Sequence, residues 1–248
     1  MNRTCHLVAN ALVLCVLLPA ALLAQEVPPP QPIWAGSIGA GVAVTSGNSD
    51  TSNLNLSFKA VRDPKTNVIL SAEGMYIRGS NSGELNANHA MLEAKAQRRI
   101  SDRAYAFLHV QALRDSFKAI DYFVAPTAGL GYTLVSTDRA KLSSDLSVGP
   151  SWEKNPGQDV RTHLALSFGE KATYALSKSA GLTQGFAVTL VGNDWADGLY
   201  TISAGLAASL TDRTQLKLEV VDVYKNKPPN PAIKKNDLST LVSVLFKF

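Results

Sequence analysis

Leu238-Ser-Thr-Leu-Val-Ser-Val-Leu-Phe-Lys-Phe248, at the carboxyl end, separates by parity. Leu238, Thr240, Val242, Val244, Phe246 and Phe248 form one set, and Ser239, Leu241, Ser243, Leu245 and Lys247 the other. Side chains of an extended chain alternate between two faces, so this period of two predicts a strand with one greasy face and one polar or small face. The split recurs upstream. Leu54, Leu56, Phe58 and Ala60 oppose Asn53, Asn55, Ser57 and Lys59; Ala90, Leu92, Ala94 and Ala96 oppose Met91, Glu93, Lys95 and Gln97. Tyr200, Ile202, Ala204, Leu206, Ala208 and Leu210 oppose Thr201, Ser203, Gly205, Ala207, Ser209 and Thr211.

Turn residues divide the body of the chain into about twelve such strands, at 33–46, 51–62, 67–79, 87–100, 103–114, 122–136, 139–152, 161–176, 181–192, 198–210, 213–224 and 237–248. The eighth is irregular: Glu170 falls on the phase that Leu164, Leu166 and Phe168 make apolar, and a bulge at Gly169 is expected to restore it. Connections alternate in length. Asp63-Pro-Lys-Thr66, Ser101-Asp102, Thr137-Asp138, Ser177-Lys-Ser-Ala180 and Thr211-Asp212 are tight, whereas 80–86, 115–121, 153–160, 193–197 and 225–236 are longer. The first connection, Gly47-Asn-Ser-Asp50, is short and breaks the rule. Short turns on one rim and long loops on the other predict an all-β fold, a single up-and-down antiparallel transmembrane barrel with both termini on the periplasmic side.

Barrel size decides which way the greasy face points. Eight strands leave a lumen that side chains can fill, but twelve leave a wider one. Filling that space takes bulky residues, and this face carries many alanines, among them Ala40, Ala60, Ala72, Ala90, Ala94, Ala96, Ala128, Ala204 and Ala208. The expected arrangement is apolar face to lipid, polar face to lumen. Phe246 and Phe248 resemble the carboxy-terminal signal by which outer-membrane barrels are recognised for insertion, which implies the barrel-assembly machinery as a partner. Tyr76, Tyr132, Trp152, Tyr174, Tyr200 and Tyr224 are expected near strand ends, where aromatic girdles belong.

Ahead of the strands, Arg3 precedes an apolar run from Leu7 to Ala24, and a proline-rich stretch follows at 25–32. This is the layout of a secretory signal peptide over 1–24, a linker over 25–32 and a barrel over 33–248. An uncleaved anchor helix is the rival reading, and Pro19 opposes it. Cys5 and Cys15 both lie in the leader, so the exported chain has no cysteine for catalysis, disulfides or zinc. The formal charge of +4, from 24 Lys+Arg against 20 Asp+Glu, excludes a nucleic-acid binder driven by bulk charge. Mean hydropathy of +0.02 excludes a bundle of membrane-spanning helices.

Several short motifs carry a resemblance. Trp34-Ala-Gly36, Ser46-Gly-Asn-Ser-Asp50, Arg62, Gly129-Leu-Gly-Tyr132, Tyr224-Lys-Asn-Lys-Pro-Pro229 and Asn236-Asp237 before a terminal aromatic strand resemble the salt-induced outer-membrane protein family, a domain-of-unknown-function group. The resemblance implies an outer-membrane barrel and brings no catalytic residues. Pro126 stands where a basic residue is expected on the sixth strand.

No catalytic, cofactor or metal site is expected. Gly129-Leu-Gly131 lacks the following helix of a phosphate cradle, and His89, His109 and His163 fall on different strands. The polar face instead supplies Lys59, Glu73, Glu93, Lys95, Asp145, Lys217, Glu219 and Lys247, expected to line the lumen, with Glu93 and Lys217 as a candidate pair across it. Such charges suit a small-solute channel or, equally, a plugged structural barrel of the envelope, linked by the resemblance to salt or envelope stress. A lipid-modifying hydrolase, which His163 on the polar phase beside Ser167 and the lack of a glycine-flanked serine elbow oppose, and a soluble periplasmic ligand-binding barrel are the alternatives. Outer-membrane lipid is the expected surrounding, and lysines in the 225–235 loop are candidates for lipopolysaccharide phosphates, although a solvated loop is the simpler explanation.

Overall fold

The structure is a computed structural model that describes residues 33–46, 51–81, 84–116, 118–192 and 194–248. The expected leader (1–24), the linker (25–32) and the short first connection (47–50) lie outside the described residues.

Every predicted strand is present: β1 (Trp34–Ser46), β2 (Thr51–Arg62), β3 (Val68–Asn81), β4 (Glu84–Arg99), β5 (Ala104–Asp115), β6 (Ile120–Ser136), β7 (Ala140–Lys154), β8 (Arg161–Ala175), β9 (Ala180–Val191), β10 (Asp194–Ser209), β11 (Thr214–Lys225) and β12 (Asn236–Lys247). Each pairs antiparallel with its chain neighbours, and β12 returns to β1, so the sheet closes and no edge remains. The seam runs from Ser37 opposite Lys247 to Ser46 opposite Leu238. Gly36 and Phe248 finish it by exchanging two backbone hydrogen bonds of 3.1 Å.

Three expectations change. The connections do not sort by rim as expected: the strand bounds leave only 82–83 between β3 and β4 and 192–193 between β9 and β10, because these strands run on into the expected loops, and only 155–160 and 226–235 exceed the turns of the other rim. β10 starts at Asp194, four residues before the predicted boundary, because Asp194 pairs with Val191 and a register shift before Gly198 absorbs the turn-like composition. The bulge at Gly169 is absent. Register runs unbroken through Asp145 opposite Gly169, Ser144 opposite Glu170 and Ser143 opposite Lys171. The hydrogen-bond ladder overrides side-chain phase here, which turns Glu170 outward and Lys171 inward.

Alternation of exposure fixes the faces. Along β2, Leu54 is 58% exposed, Asn55 1% and Leu56 47%; along β12, Val242 is 41% exposed, Ser243 6% and Val244 50%. Large apolar side chains cover the outside of the wall, the reverse of a soluble barrel built round an oily centre. Tyr132, Trp152, Tyr174 and Tyr224 lie near strand ends, whereas Tyr76 and Tyr200 sit farther inside β3 and β10; Tyr200 and Tyr224 pack edge to face at 5.8 Å. The rim carrying both termini is closed by tight turns. At one of them Asp63 accepts from the Lys65 backbone N–H and from Arg99, at 3.0 Å each. Burial pulls the Asp63 carboxyl upward, and these donors outweigh it and hold the group below its ordinary value.

Inside, small residues make room for large ones. A Cβ on Gly131 would meet the Tyr105 ring at 2.2 Å, and one on Gly149 would meet the Pro126 carbonyl at 2.1 Å. Pro126 has no N–H to give, and the β6–β7 ladder skips from Val124 to Ala128 around it. Gly131→Val is expected to displace Tyr105 and cost about 1–3 kcal/mol by overpacking, read as a lower urea midpoint in detergent micelles; an unchanged midpoint contradicts this packing.

Candidate functional site

The lumen holds two charged levels. The lower one forms a belt. Lys59 pairs with Glu73 at 3.2 Å, Lys217 with Glu219 at 2.8 Å and Lys95 with Asp145 at 2.6 Å. Lys95 and Asp145 sit on β4 and β7, so their bond is made through the barrel interior. The Lys95 ammonium also lies 4.0 Å from the Phe107 ring centroid, a cation–π contact. Glu93 takes a hydrogen bond from Gln111 at 3.1 Å and faces His109 at 3.6 Å. The Glu93–Lys217 pair expected across the lumen does not form, because nearer partners on adjacent positions claim both. Lys247, like Lys59 of the belt, stands opposite Ser37 and donates to Ser209 at 3.2 Å.

Lys171 belongs to this belt and was not legible from the sequence, since a bulge at Gly169 would have turned it outward. It stands on β8, six strands from β2, yet it acts on Glu73 of β3 together with Lys59, so charges from opposite walls interact across the lumen. Water reaches this level: Lys59 and Glu73 keep 44% and 41% of their side-chain surface exposed.

The upper level, at the rim opposite the start of β1 and the end of β12, is dry. Lys118, in the β5–β6 connection, is 0% exposed. Its ammonium donates to Asp237 of β12 and to the Lys235 carbonyl, at 2.8 Å each, about half the circumference away. Asp115 accepts the Lys118 backbone N–H at 3.2 Å and bonds His89 Nδ1 at 3.0 Å. Nearby, both carboxylate oxygens of Glu153 on β7 take Lys225 of β11, at 3.1 and 3.2 Å, and Arg161 and Asn155 donate to Oε1 at 3.1 and 3.0 Å. Asn155 also donates to the Ala119 carbonyl at 2.9 Å, which ties the inward-folded connection to the β7–β8 loop. Beside Glu153 and Lys225 the remaining space is a cavity of about 10 Å³, room for a single water. Apolar clusters pack beside these charges: Leu113, Ile120, Phe123 and Ala125 at the upper level, where Ile120 stands opposite Asp115 and Phe123 opposite Glu153, and Ala43, Ile77 and Leu241 on β1, β3 and β12.

The other candidates are placed as follows. Ser167 bonds Thr189 at 3.0 Å, whereas His163 lies opposite Ser151, so these residues form no serine–histidine dyad. His89 and His109 face separate carboxylates, and no cluster of three metal ligands occurs among the described residues. In the 225–235 loop, Lys225 is committed to Glu153 and Lys227 to Asp194. Phe246 and Phe248 point outward, 51% and 60% exposed.

Fold and lumen together define a twelve-stranded barrel, apolar outside and charged within, closed at one rim. The chain belongs to a protein family of unknown function, DUF481, which matches residues 38–248. That description attaches no activity and no salt response to the family. No curated protein matches the chain. Among solved structures, the NanC porin is similar at a TM-score of 0.58 and 12% identity, covering 85% of this chain and 100% of that one. The KdgM porin follows at 0.51 and 13%, covering 86% and 99%. The COG4313 outer membrane channel from Pseudomonas putida F1 is similar at 0.50 and 13%, covering 90% and 100%. At these identities the likeness concerns the fold alone.

A buried charge that loses its partner is costly. Glu153→Ala takes from Lys225 its nearest carboxylate, leaving Asp197 at 3.8 Å, and from Arg161 its ion pair, and is expected to cost about 3 kcal/mol in unfolding experiments. Glu153→Ala with Lys225→Met is expected to recover part of it; equal loss in both variants contradicts a mutual pair.

Proposed function

We propose that this protein is an outer-membrane barrel acting as a small-solute channel, shut at its outer mouth in the conformation described above. The carrying observation is the pairing of a water-reached charged belt with a dry plug of Lys118–Asp237 and Glu153–Lys225 above it. The exposed apolar wall supports a lipid surround, and in this reading the rim where β1 begins and β12 ends faces the periplasm and the opposite rim faces outside, as in other barrels of this kind. Solutes entering from below meet charges of both signs, which suits small polar or zwitterionic molecules better than large anionic chains. Porin-type neighbours support the channel reading by fold. Export by the 1–24 leader, insertion through the Phe246 and Phe248 ending, contact with lipopolysaccharide and a link to salt or envelope stress belong to the same proposal; the last rests on the resemblance.

A second reading, a permanently sealed structural barrel of the envelope, is favoured by the completeness of the plug. A lipid hydrolase has no support from Ser167 or His163 as placed. Planar-bilayer recording separates channel from strut. The wild-type protein is expected to be silent at modest voltage, and Lys118→Ala with Asp237→Ala, which removes both ends of the latch, is expected to give steady single-channel steps. A folded double variant that stays silent at all voltages overturns the channel, and a wild type that is always open overturns the plug.

A further inference from the structure

β8 carries a carboxylate where its outer face is otherwise apolar. With register unbroken through Gly169, Glu170 shares that face with Leu164, Leu166, Phe168, Ala172 and Tyr174. Its cross-strand neighbours are Ser144 on β7 and Phe186 on β9, and Gln184 of β9 stands opposite Ala172, two residues along. Ser144, Glu170 and Gln184 thus make a polar notch in the outer wall. Its depth follows from the chain itself: Ser144 precedes Asp145 and Glu170 precedes Lys171, so the notch is level with the charge belt and lies between the aromatic ends of the strands. Among the described residues Glu170 makes no hydrogen bond or ion pair.

An ionisable group facing hydrocarbon at mid-depth is unfavourable, and a barrel that keeps one needs something to meet it. The surroundings narrow what that is. Ser144, Ala172 and Ala204, the last opposite Gln184 on β10, are small and let a second wall approach closely. The notch is also self-complementary. A carboxylate only accepts, a carboxamide nitrogen only donates, and the two sit diagonally on adjacent strands. A half-turn about an axis along the membrane normal, lying between two facing copies, keeps both in the same orientation in the membrane and brings each Glu170 towards the other's Gln184.

We propose that the β7–β9 wall is a homodimer interface in which Glu170 of each copy accepts hydrogen bonds from Gln184 of the other. The proposal rests on the outward face lying in the membrane, and it is independent of whether the lumen conducts.

Cysteine cross-linking tests it in the full chain carrying Cys5→Ala and Cys15→Ala. Ala172→Cys lies inside the notch, and Ala60→Cys, outward on β2, lies on the opposite wall. Oxidation in isolated outer membranes is expected to give a covalent dimer at position 172 and at least about tenfold less at position 60. Glu170→Leu in the Ala172→Cys background is expected to cut the dimer about tenfold, on the scale of interhelical polar contacts in membranes. Heat-modifiable gel migration confirms that each variant is a folded barrel. Equal yields at both positions, an unchanged yield in Glu170→Leu, or a product that is not twice the chain's mass overturns the dimer. Protein found in the aqueous fraction overturns the membrane reading instead, so the two failures are distinguishable.

Discussion

Closing the sheet leaves each strand with one face outside and one inside, and the two-residue period of the chain assigns a chemistry to each. Once Leu54, Leu56 and Phe58 are turned outward, Asn55, Ser57 and Lys59 have nowhere to go but the lumen. Every charge on that face then shares one enclosed space with those from the opposite wall. Opposite signs arrive at the same level and neutralise one another, as in Lys59–Glu73, Lys95–Asp145 and Lys217–Glu219. The function proposed here grows from that confinement, since what enters must compete with pairs already made.

The two charged levels differ in hydration, and hydration separates their roles. At the belt, water screens the pairs and lets them exchange partners at modest cost. At the opposite rim, Lys118, Glu153 and Lys225 have lost their water, so each holds its place only while its partner stays. Such a plug is stiff when complete and unstable when broken. That is the behaviour needed at a mouth that is either shut or open.

Much of the fold was legible because alternation is a local signal, repeated strand by strand. What escaped depends on distant contacts. Lys118 looks like an ordinary loop lysine, and its burial is decided by Asp237, which the chain reaches only after the cylinder closes. Strand eight misled for the opposite reason. Its apolar phase invited a repair at Gly169, yet the ladders to β7 and β9 keep step and tolerate Glu170 on the outside. Lys171 was lost from the expected lumen with it, and the Glu93–Lys217 pair failed because sequence cannot rank His109 and Gln111 as nearer partners.

Spin labels placed one at a time along β2, from Leu54 to Ala60, in protein reconstituted into lipid vesicles, test the orientation of the wall most directly. Accessibility to oxygen is expected to peak at 54, 56, 58 and 60, and accessibility to a polar nickel chelate at 55, 57 and 59. A profile without alternation, or one with the phases exchanged, contradicts the account.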